Sequence, residues 1–232
     1  MIRVVTFDAA GTLIQLIHPP GRTYAETARQ FGYRLDPDRV QEAFRIAWKA
    51  LAPPPESDGP HLDDDRGWWR QLVAETMSEA GYRIDPFEKY FVAVYQAFAG
   101  PGVWELLPGV PTMLTELARL KIRLGVISNF DRRLYEILAL LGIRNAFEEI
   151  IISSEIGVRK PASRIFRLAA QRFQVEAHEI LHVGDEPDSD FAGARRAGLE
   201  ALLIDRQSST LANILPWLAQ QSAPGGGPSK FP

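Results

Sequence analysis

The sequence contains no cysteine, which excludes disulfide bonds and thiolate chemistry and fits a reducing compartment. It also lacks an excess of positive charge: the net charge is −3, which disfavours nucleic acid as the main partner. No run approaches the roughly 18 consecutive apolar residues of a membrane-spanning helix. No charged leader with an apolar signal segment precedes the first strand-like run. We therefore expect a cytoplasmic protein that binds neither nucleic acid nor membrane.

What is present is ordinary globular composition. Hydrophobic residues make up 46% of the 232 positions and charged residues 24%. A chain of this length buries a substantial core, and it suits one large domain or a core with an insert.

Five short runs, rich in β-branched residues or leucine, are predicted as strands: residues 2–7, 123–127, 149–152, 180–183 and 201–204. Helical patterns accompany the last four, at residues 108–120, 132–141, 161–173 and 190–197. Strands separated by helix-length segments indicate βαβ units in a parallel sheet. Runs such as "VVTF" and "GVIS" are apolar on both faces, so we expect helices on both sides of this sheet.

More than a hundred residues of different character separate the first two runs. Four helical patterns occupy them, at residues 24–31, 37–51, 67–80 and 86–99. We interpret residues 17–103 as an all-helical cap inserted after the first strand, and residues 1–16 and 104–221 as the α/β core. Residues 222–232 are predicted to form a flexible tail.

Asp8 follows the first strand directly. Ligands of open parallel sheets collect at the carboxyl ends of the strands, so this carboxylate should face that crevice. Gly11 permits a tight turn, and Thr12 offers a hydroxyl and a backbone N–H to an anion. A carboxylate in this position can attack phosphorus or carbon to form a covalent intermediate. Alternatively, Asp8 has no catalytic role and only caps the turn after the strand.

Two further segments place polar groups after strands. Ser128 and Asn129 can donate hydrogen bonds to a phosphoryl or carboxylate oxygen, although such a pair also forms ordinary turns. Lys160 could neutralise a nucleophile and a transferring phosphoryl group, and Pro161 could start the next helix.

Four carboxylates crowd the segment after the strand at 180–183: Asp185, Glu186, Asp188 and Asp190. They repel one another unless solvent or a cation relieves them. Magnesium prefers a few carboxylates together with water and substrate oxygens, and Asp8, Asp185 and one backbone carbonyl would form such a partial shell. Asp190 could instead cap the following helix.

The combined pattern resembles the haloacid dehalogenase-like hydrolase superfamily. The segments that carry it are "FDAAGT", Ser128, Lys160-Pro161 and "GDEPDSD", and the resemblance covers residues 1 to about 206. The stretches "RGWWRQLVAETMSEAG" and "VISNFDRRL" are more narrowly similar to the subgroup called haloacid dehalogenase-like hydrolase domain-containing protein 3. The resemblance implies a Rossmann-like core with a helical cap.

The same resemblance implies a role for each residue of the pattern. Asp8 would be the nucleophile and a ligand of Mg²⁺, to which Asp185 and the main-chain carbonyl of Ala10 would also bind. Thr12, Ser128 and Asn129 would hold the transferred group. Lys160 would balance negative charge, and Asp190 would support the site.

Position 10 is alanine in this chain. The phosphatases of this superfamily carry a second aspartate at the equivalent position, and that aspartate acts as general acid and base. A methyl group transfers no proton, and such catalysis typically contributes about 10²–10⁴-fold. We therefore expect magnesium-dependent hydrolysis of a small phosphorylated or other anionic substrate, weak on alkyl phosphates. Three alternatives stay open: a dehalogenase, a phosphonate-cleaving enzyme with Lys49 as the Schiff-base lysine, or a catalytically impaired binding protein. A monomer and a homodimer both remain compatible with the sequence.

Other residues are weaker candidates. His18 and Glu186 are considered as substitutes for the missing acid, while His182 is predicted in the core and His61 and His178 on the surface. Aromatic residues at helical spacing should form the core of the cap, with a few over the site. Arg22, Arg66 and Arg70 could meet an anionic end of the substrate.

Overall fold

The computed structural model describes residues 1–204 and 214–222. In chain order the strands are β1 (Val4–Phe7), β2 (Ile14–Leu16), β3 (Trp104–Leu106), β4 (Arg123–Ser128), β5 (Glu149–Ile152), β6 (Ile180–Gly184) and β7 (Glu200–Leu203). The helices are α1 (Pro20–Arg29), α2 (Pro37–Ala50), α3 (Arg66–Glu79), α4 (Phe87–Ala97), α5 (Val110–Arg119), α6 (Arg133–Leu140), α7 (Ser153–Ile156), α8 (Ser163–Phe173), α9 (Gly193–Arg196) and α10 (Ile214–Ser222).

Five strands form one parallel sheet in the order β5-β4-β1-β6-β7. The central strand, β1, has no exposed side chain, since all four of its residues are fully buried. Apolar clusters cover the sheet on both faces. One includes Phe7 and Leu134, and the other includes Ile127 and Phe166. The predicted α/β architecture is therefore confirmed, and a strand without a polar face is what burial on both sides requires.

The cap, helices α1 to α4, lies between β2 and β3 in the chain and has an apolar cluster of its own. Tyr24 and Tyr90 are its largest fully buried side chains, and the Tyr90 hydroxyl donates a hydrogen bond to the Tyr24 carbonyl oxygen at 3.1 Å. The two chain crossings between core and cap run side by side, because β2 and β3 pair as an antiparallel ribbon. The sequence did not predict this ribbon, since three-residue strands are too short for a periodic signal.

Two helix starts differ from the prediction. Helix α8 begins at Ser163 rather than at Pro161, because the backbone of Ala162 is still extended. The Lys160–Pro161 peptide bond is cis. The helix expected at residues 190–197 is instead a wide π-helical turn, Pro187–Ala192, followed by α9. Asp190 lies inside this turn, so it does not cap a helix.

The structure describes part of the C-terminal region. Helix α10 includes Ser222, the first residue of the predicted tail, and residues 223–232 lie outside the described residues. Within the described ranges, no helix has the length and apolar character needed to cross a membrane.

Candidate active site

Asp8 stands at the carboxyl end of the central strand. Its backbone N–H donates to the Val183 carbonyl at 2.9 Å, which extends the β1–β6 ladder by one residue. The chain then turns at once, because Gly11 has a φ of 101°, a left-handed conformation that side chains rarely adopt. The Asp8 side chain is only 10% exposed and lines a cavity between core and cap.

A buried lysine joins two carboxylates at this point. Lys160 Nζ lies 2.5 Å from Asp8 Oδ1 and 2.6 Å from Asp190 Oδ1. Ser128 Oγ, at the end of β4, donates to the same Asp8 oxygen at 3.3 Å. Ion pairs in a buried setting gain strength from the low local dielectric, provided that the remaining polar atoms have partners.

Burial and charge act against each other in this group. Burial raises the pKa of Asp8 to about 6, although the neighbouring Lys160 ammonium lowers it, and repulsion from Asp190 and Asp185 adds to the increase. Burial alone would lower the pKa of Lys160, but the attraction of Asp8 and Asp190 outweighs it and the pKa is raised. The lysine is therefore charged at neutral pH, and most Asp8 side chains are ionised.

Asp190 is held from several sides. His182 Nε2 lies 3.3 Å from its Oδ1, and the Glu186 N–H donates to its Oδ2 at 3.1 Å. Burial would raise the pKa of Asp190, but its contacts with His182 and Lys160 lower it overall. The sequence interpretation placed His182 in the core and missed this contact. The available signal was a polar ring inside an apolar strand, since a buried polar group needs a partner.

Asp185, after β6, completes a group of three carboxylates. Oxygen atoms of Asp8, Asp185 and Asp190 all lie within 4.8 Å of one another. The negative charge of three ionised carboxylates is larger than the single positive charge of Lys160. Oxygen atoms such as these are the ligands that Mg²⁺ prefers. The main-chain oxygen of Ala10 accepts no hydrogen bond within the described part of the chain. These residues therefore fit a divalent cation.

Two residues expected to hold the transferred group make other contacts. Thr12 is fully buried, and its Oγ1 donates to Asp185 Oδ1 at 3.0 Å. Asn129 contacts both main-chain groups of Lys160: its Nδ2 donates to the Lys160 oxygen at 3.0 Å, and its Oδ1 accepts from the Lys160 nitrogen at 2.8 Å. Asn129 also lines the cavity, whereas Thr12 does not.

The cavity above Asp8 has a volume of about 640 Å³. Ala10, Lys49 and Glu186 line it, and Lys49 is exposed. His18 is exposed and lies in a separate depression. The surface prediction for His61 is wrong, because its side chain is only 12% exposed and contacts Asp65.

The arginines predicted to meet the substrate lie elsewhere. Arg22 pairs with Glu26 and Arg70 with Glu88, while Arg66 lies over the rings of Phe91 and Tyr95. The arginines that line the cavity are Arg45, Arg133 and Arg159. Sequence spacing could not distinguish the two sets, because both lie on amphipathic helices or in loops.

Comparison with known proteins gives one consistent result. Residues 2–198 match the model of a family described as haloacid dehalogenase-like hydrolase. The chain is 34% identical to human haloacid dehalogenase-like hydrolase domain-containing protein 3, covering 94% of this chain and 91% of the relative. It is 41% identical to glyceraldehyde 3-phosphate phosphatase of Methanopyrus kandleri, covering 89% and 85%.

A solved structure from Bacillus subtilis, described as a HAD-hydrolase bound to magnesium, has the same fold. The TM-score is 0.70 at 19% identity, over 88% of both chains. Family model, relatives and fold agree with the resemblance expected from the sequence. The chain belongs to the haloacid dehalogenase-like hydrolase family.

Proposed function

We propose that this hydrolase cleaves a small phosphorylated substrate with the help of Mg²⁺, through a covalent aspartyl intermediate at Asp8. The main support for this proposal is the buried contact of Lys160 with Asp8 and Asp190 on the floor of the cavity. The phosphatase activity of the Methanopyrus relative supports the same reaction class.

The geometry of Asp8 supports its role as nucleophile. Lys160 and Ser128 both contact Oδ1, whereas Oδ2 receives no hydrogen bond from the described residues. Oδ2 thus keeps its lone pairs for attack on phosphorus, and the leaving oxygen departs on the opposite side. Water then cleaves the aspartyl phosphate, which releases inorganic phosphate and regenerates the Asp8 carboxylate. Lys160 holds the carboxylate in place and offsets the charge of an incoming phosphoryl group. Ser128 and Asn129 line the same cavity and would bind the phosphoryl oxygens.

Asp8, Asp185 and the Ala10 carbonyl would hold the metal ion, and Asp190 would act through Lys160. A bound Mg²⁺ supplies charge neutralisation at the phosphoryl oxygens. Ala10 lines the cavity but carries no acid. We therefore expect turnover of acyl and aryl phosphates, whose leaving groups depart without a proton, and weak turnover of alkyl phosphates.

Hydrolysis of acetyl phosphate with magnesium, and after its removal with a chelator, tests the proposal. We expect activity that requires the metal and is lost in Asp8→Asn. Full activity of Asp8→Asn would refute the nucleophile assignment. Absence of turnover in the wild type would favour the impaired binding protein.

The phosphonate-cleaving alternative depends on Lys49. Since its side chain is exposed, Lys49 lacks the buried apolar setting that activates a Schiff-base lysine. Borohydride trapping with phosphonoacetaldehyde should therefore leave the protein unmodified. We place the proposed reaction in the cytoplasm, because a cysteine-free chain suits a reducing compartment.

A further inference from the structure

The cavity above Asp8 has two chemically different ends. Its floor is polar and includes Asp8 and Ser128 from strand ends and Lys160 from the loop before α8. Its roof comes from the cap and is largely aromatic. The cap residues that carry the argument are Tyr24, Phe44, Trp48, Trp69, Tyr95 and Phe98. A ligand that fills this space must therefore combine an anionic end with an apolar body.

The roof side chains form a connected cluster. Phe44 and Trp48 stack with their ring centroids 5.7 Å apart and their planes at 29°. Trp48 also contacts Trp69, with centroids 6.1 Å apart. Trp48 is nevertheless 48% exposed, so its indole ring has a free apolar surface at the cavity. A further ring could extend the cluster in a stacked or edge-to-face arrangement.

Two arginines of the cavity wall pair with carboxylates of the protein. Arg133 makes a paired contact with Asp131 and lies over the Tyr95 ring, 3.7 Å from its centroid. Arg45 pairs with Glu42 at 2.6 Å. Both arginines therefore have partners on the protein, and the aromatic surface dominates the roof.

We propose that the substrate is a phosphate or acyl phosphate whose organic part is a planar aromatic group. The phosphoryl end lies at Asp8 and Lys160, and the ring packs against Trp48 and Phe44. The volume of about 640 Å³ suits a ring-bearing compound, because pockets for drug-sized ligands typically enclose roughly 300–1,000 Å³. This inference rests on the hydrolase chemistry proposed above.

Benzoyl phosphate and acetyl phosphate form a matched pair of substrates. Both release a carboxylate that needs no protonation, so the methyl side chain of Ala10 affects them alike. We expect kcat/KM to be at least about tenfold higher for benzoyl phosphate, mainly through KM, because one added ring contact has that magnitude. Equal values for the two compounds would overturn the proposal.

Binding separates this inference from the hydrolase proposal. Benzylphosphonate and methylphosphonate, which the reaction cannot cleave at a phosphorus–oxygen ester, are titrated by calorimetry in the presence of magnesium. We expect the aromatic compound to bind at least about tenfold more tightly. If the aromatic compound binds more tightly but the protein hydrolyses no substrate, the hydrolase proposal fails and the aromatic preference stands. Equal dissociation constants refute the preference even in an active enzyme.

Trp48 and Ile46 provide matched variants on α2. Their exposed fractions are similar, 48% and 43%, but only Trp48 lines the cavity. We expect Trp48→Ala to raise KM about fivefold or more for benzoyl phosphate, and to raise it much less for acetyl phosphate. Ile46→Ala should change neither, and Trp48→Phe should restore much of the affinity. An equal loss for both substrates in Trp48→Ala would contradict the proposed ring contact.

Discussion

Thr12 Oγ1 lies 3.0 Å from Asp185 Oδ1, so a hydroxyl from the loop after β1 orients the carboxylate that follows β6. Thr12 is fully buried, and it is not among the residues that line the cavity. If Asp185 holds the proposed metal ion, a partner that fixes its orientation contributes typically about 10- to 100-fold to metal affinity. Thr12 is thus a positioning residue for Asp185.

We predict that Thr12→Val weakens magnesium binding by roughly 10- to 100-fold, because Asp185 loses the donor that orients it. Isothermal titration with Mg²⁺ measures the dissociation constant directly. Thr12→Ser keeps the hydroxyl and serves as the control, with an affinity close to the wild type. An unchanged affinity in Thr12→Val would show that the hydrogen bond has no role in holding the ion.

Ala10→Asp should supply the acid that the loop lacks. We predict that kcat/KM for an alkyl phosphate such as glycerol 2-phosphate rises by about 10²–10⁴-fold, the usual contribution of general acid–base catalysis. Acetyl phosphate should gain much less, since its leaving group departs unprotonated. The ratio of the two rate constants is the measurement. A parallel increase for both substrates would indicate a change in binding rather than in proton transfer.

The sequence predicted the fold, and it indicated which strand ends carry the candidate site, because these signals are local. Each strand of the sheet is a run of its own, and Asp8 and Asp185 directly follow two of those runs. The partners of Thr12 and Asn129 were not predictable in this way. Their side-chain directions depend on where distant loops meet, and spacing along the chain does not contain that information. His182 was missed for the same reason, since its contact with Asp190 depends on the wide turn after β6.

Arg133 and Asp131 form a buried ion pair beside the cavity, with exposed fractions of 9% and 0%. Arg133 Nη1 also donates to the Tyr95 carbonyl at 3.0 Å, which joins α6 of the core to α4 of the cap. We predict that Arg133→Met lowers the free energy of unfolding by about 3–5 kcal/mol, because Asp131 remains buried without its partner.

Denaturant unfolding of a double variant distinguishes charge from packing. Arg133→Met combined with Asp131→Leu should recover much of the lost stability, since no unpaired charge remains. If the double variant is as unstable as the sum of the two single variants, the loss comes from packing against Trp69 and Tyr95 instead.

Gly184 is required by the close approach of Asp190. A Cβ atom at this position would lie 2.3 Å from Asp190 Cγ, so the Asp190 carboxylate, which contacts Lys160, would have to move. We predict that Gly184→Ala lowers kcat/KM for acetyl phosphate about 100-fold, the cost of displacing a site residue by about 1 Å. Gly59→Ala is the control, because no atom lies within 4 Å of its added Cβ. Equal activity of the two variants would show that Asp190 tolerates displacement.

Alkaline pH should destabilise the cap through its buried tyrosines. Burial raises the pKa of Tyr24 and of Tyr90 well above the ordinary value of 10.0, because a phenolate in the apolar cluster is unfavourable. The folded pKa exceeds the unfolded one, so this stabilisation is complete below about pH 10 and is lost as the pH rises further.

A spectroscopic pH titration of tyrosinate formation, run beside circular dichroism, checks this prediction. Tyr24 and Tyr90 should ionise only when the protein unfolds. Burial raises the pKa of Tyr95 to about 12, so this tyrosine also begins to ionise in the alkaline range. Tyr90→Phe should be less stable at neutral pH, because its hydrogen bond to the Tyr24 carbonyl is lost. Its stability should fall less steeply above pH 10, since one fewer buried phenol can ionise. An equal slope in both proteins would assign the alkaline transition to other groups.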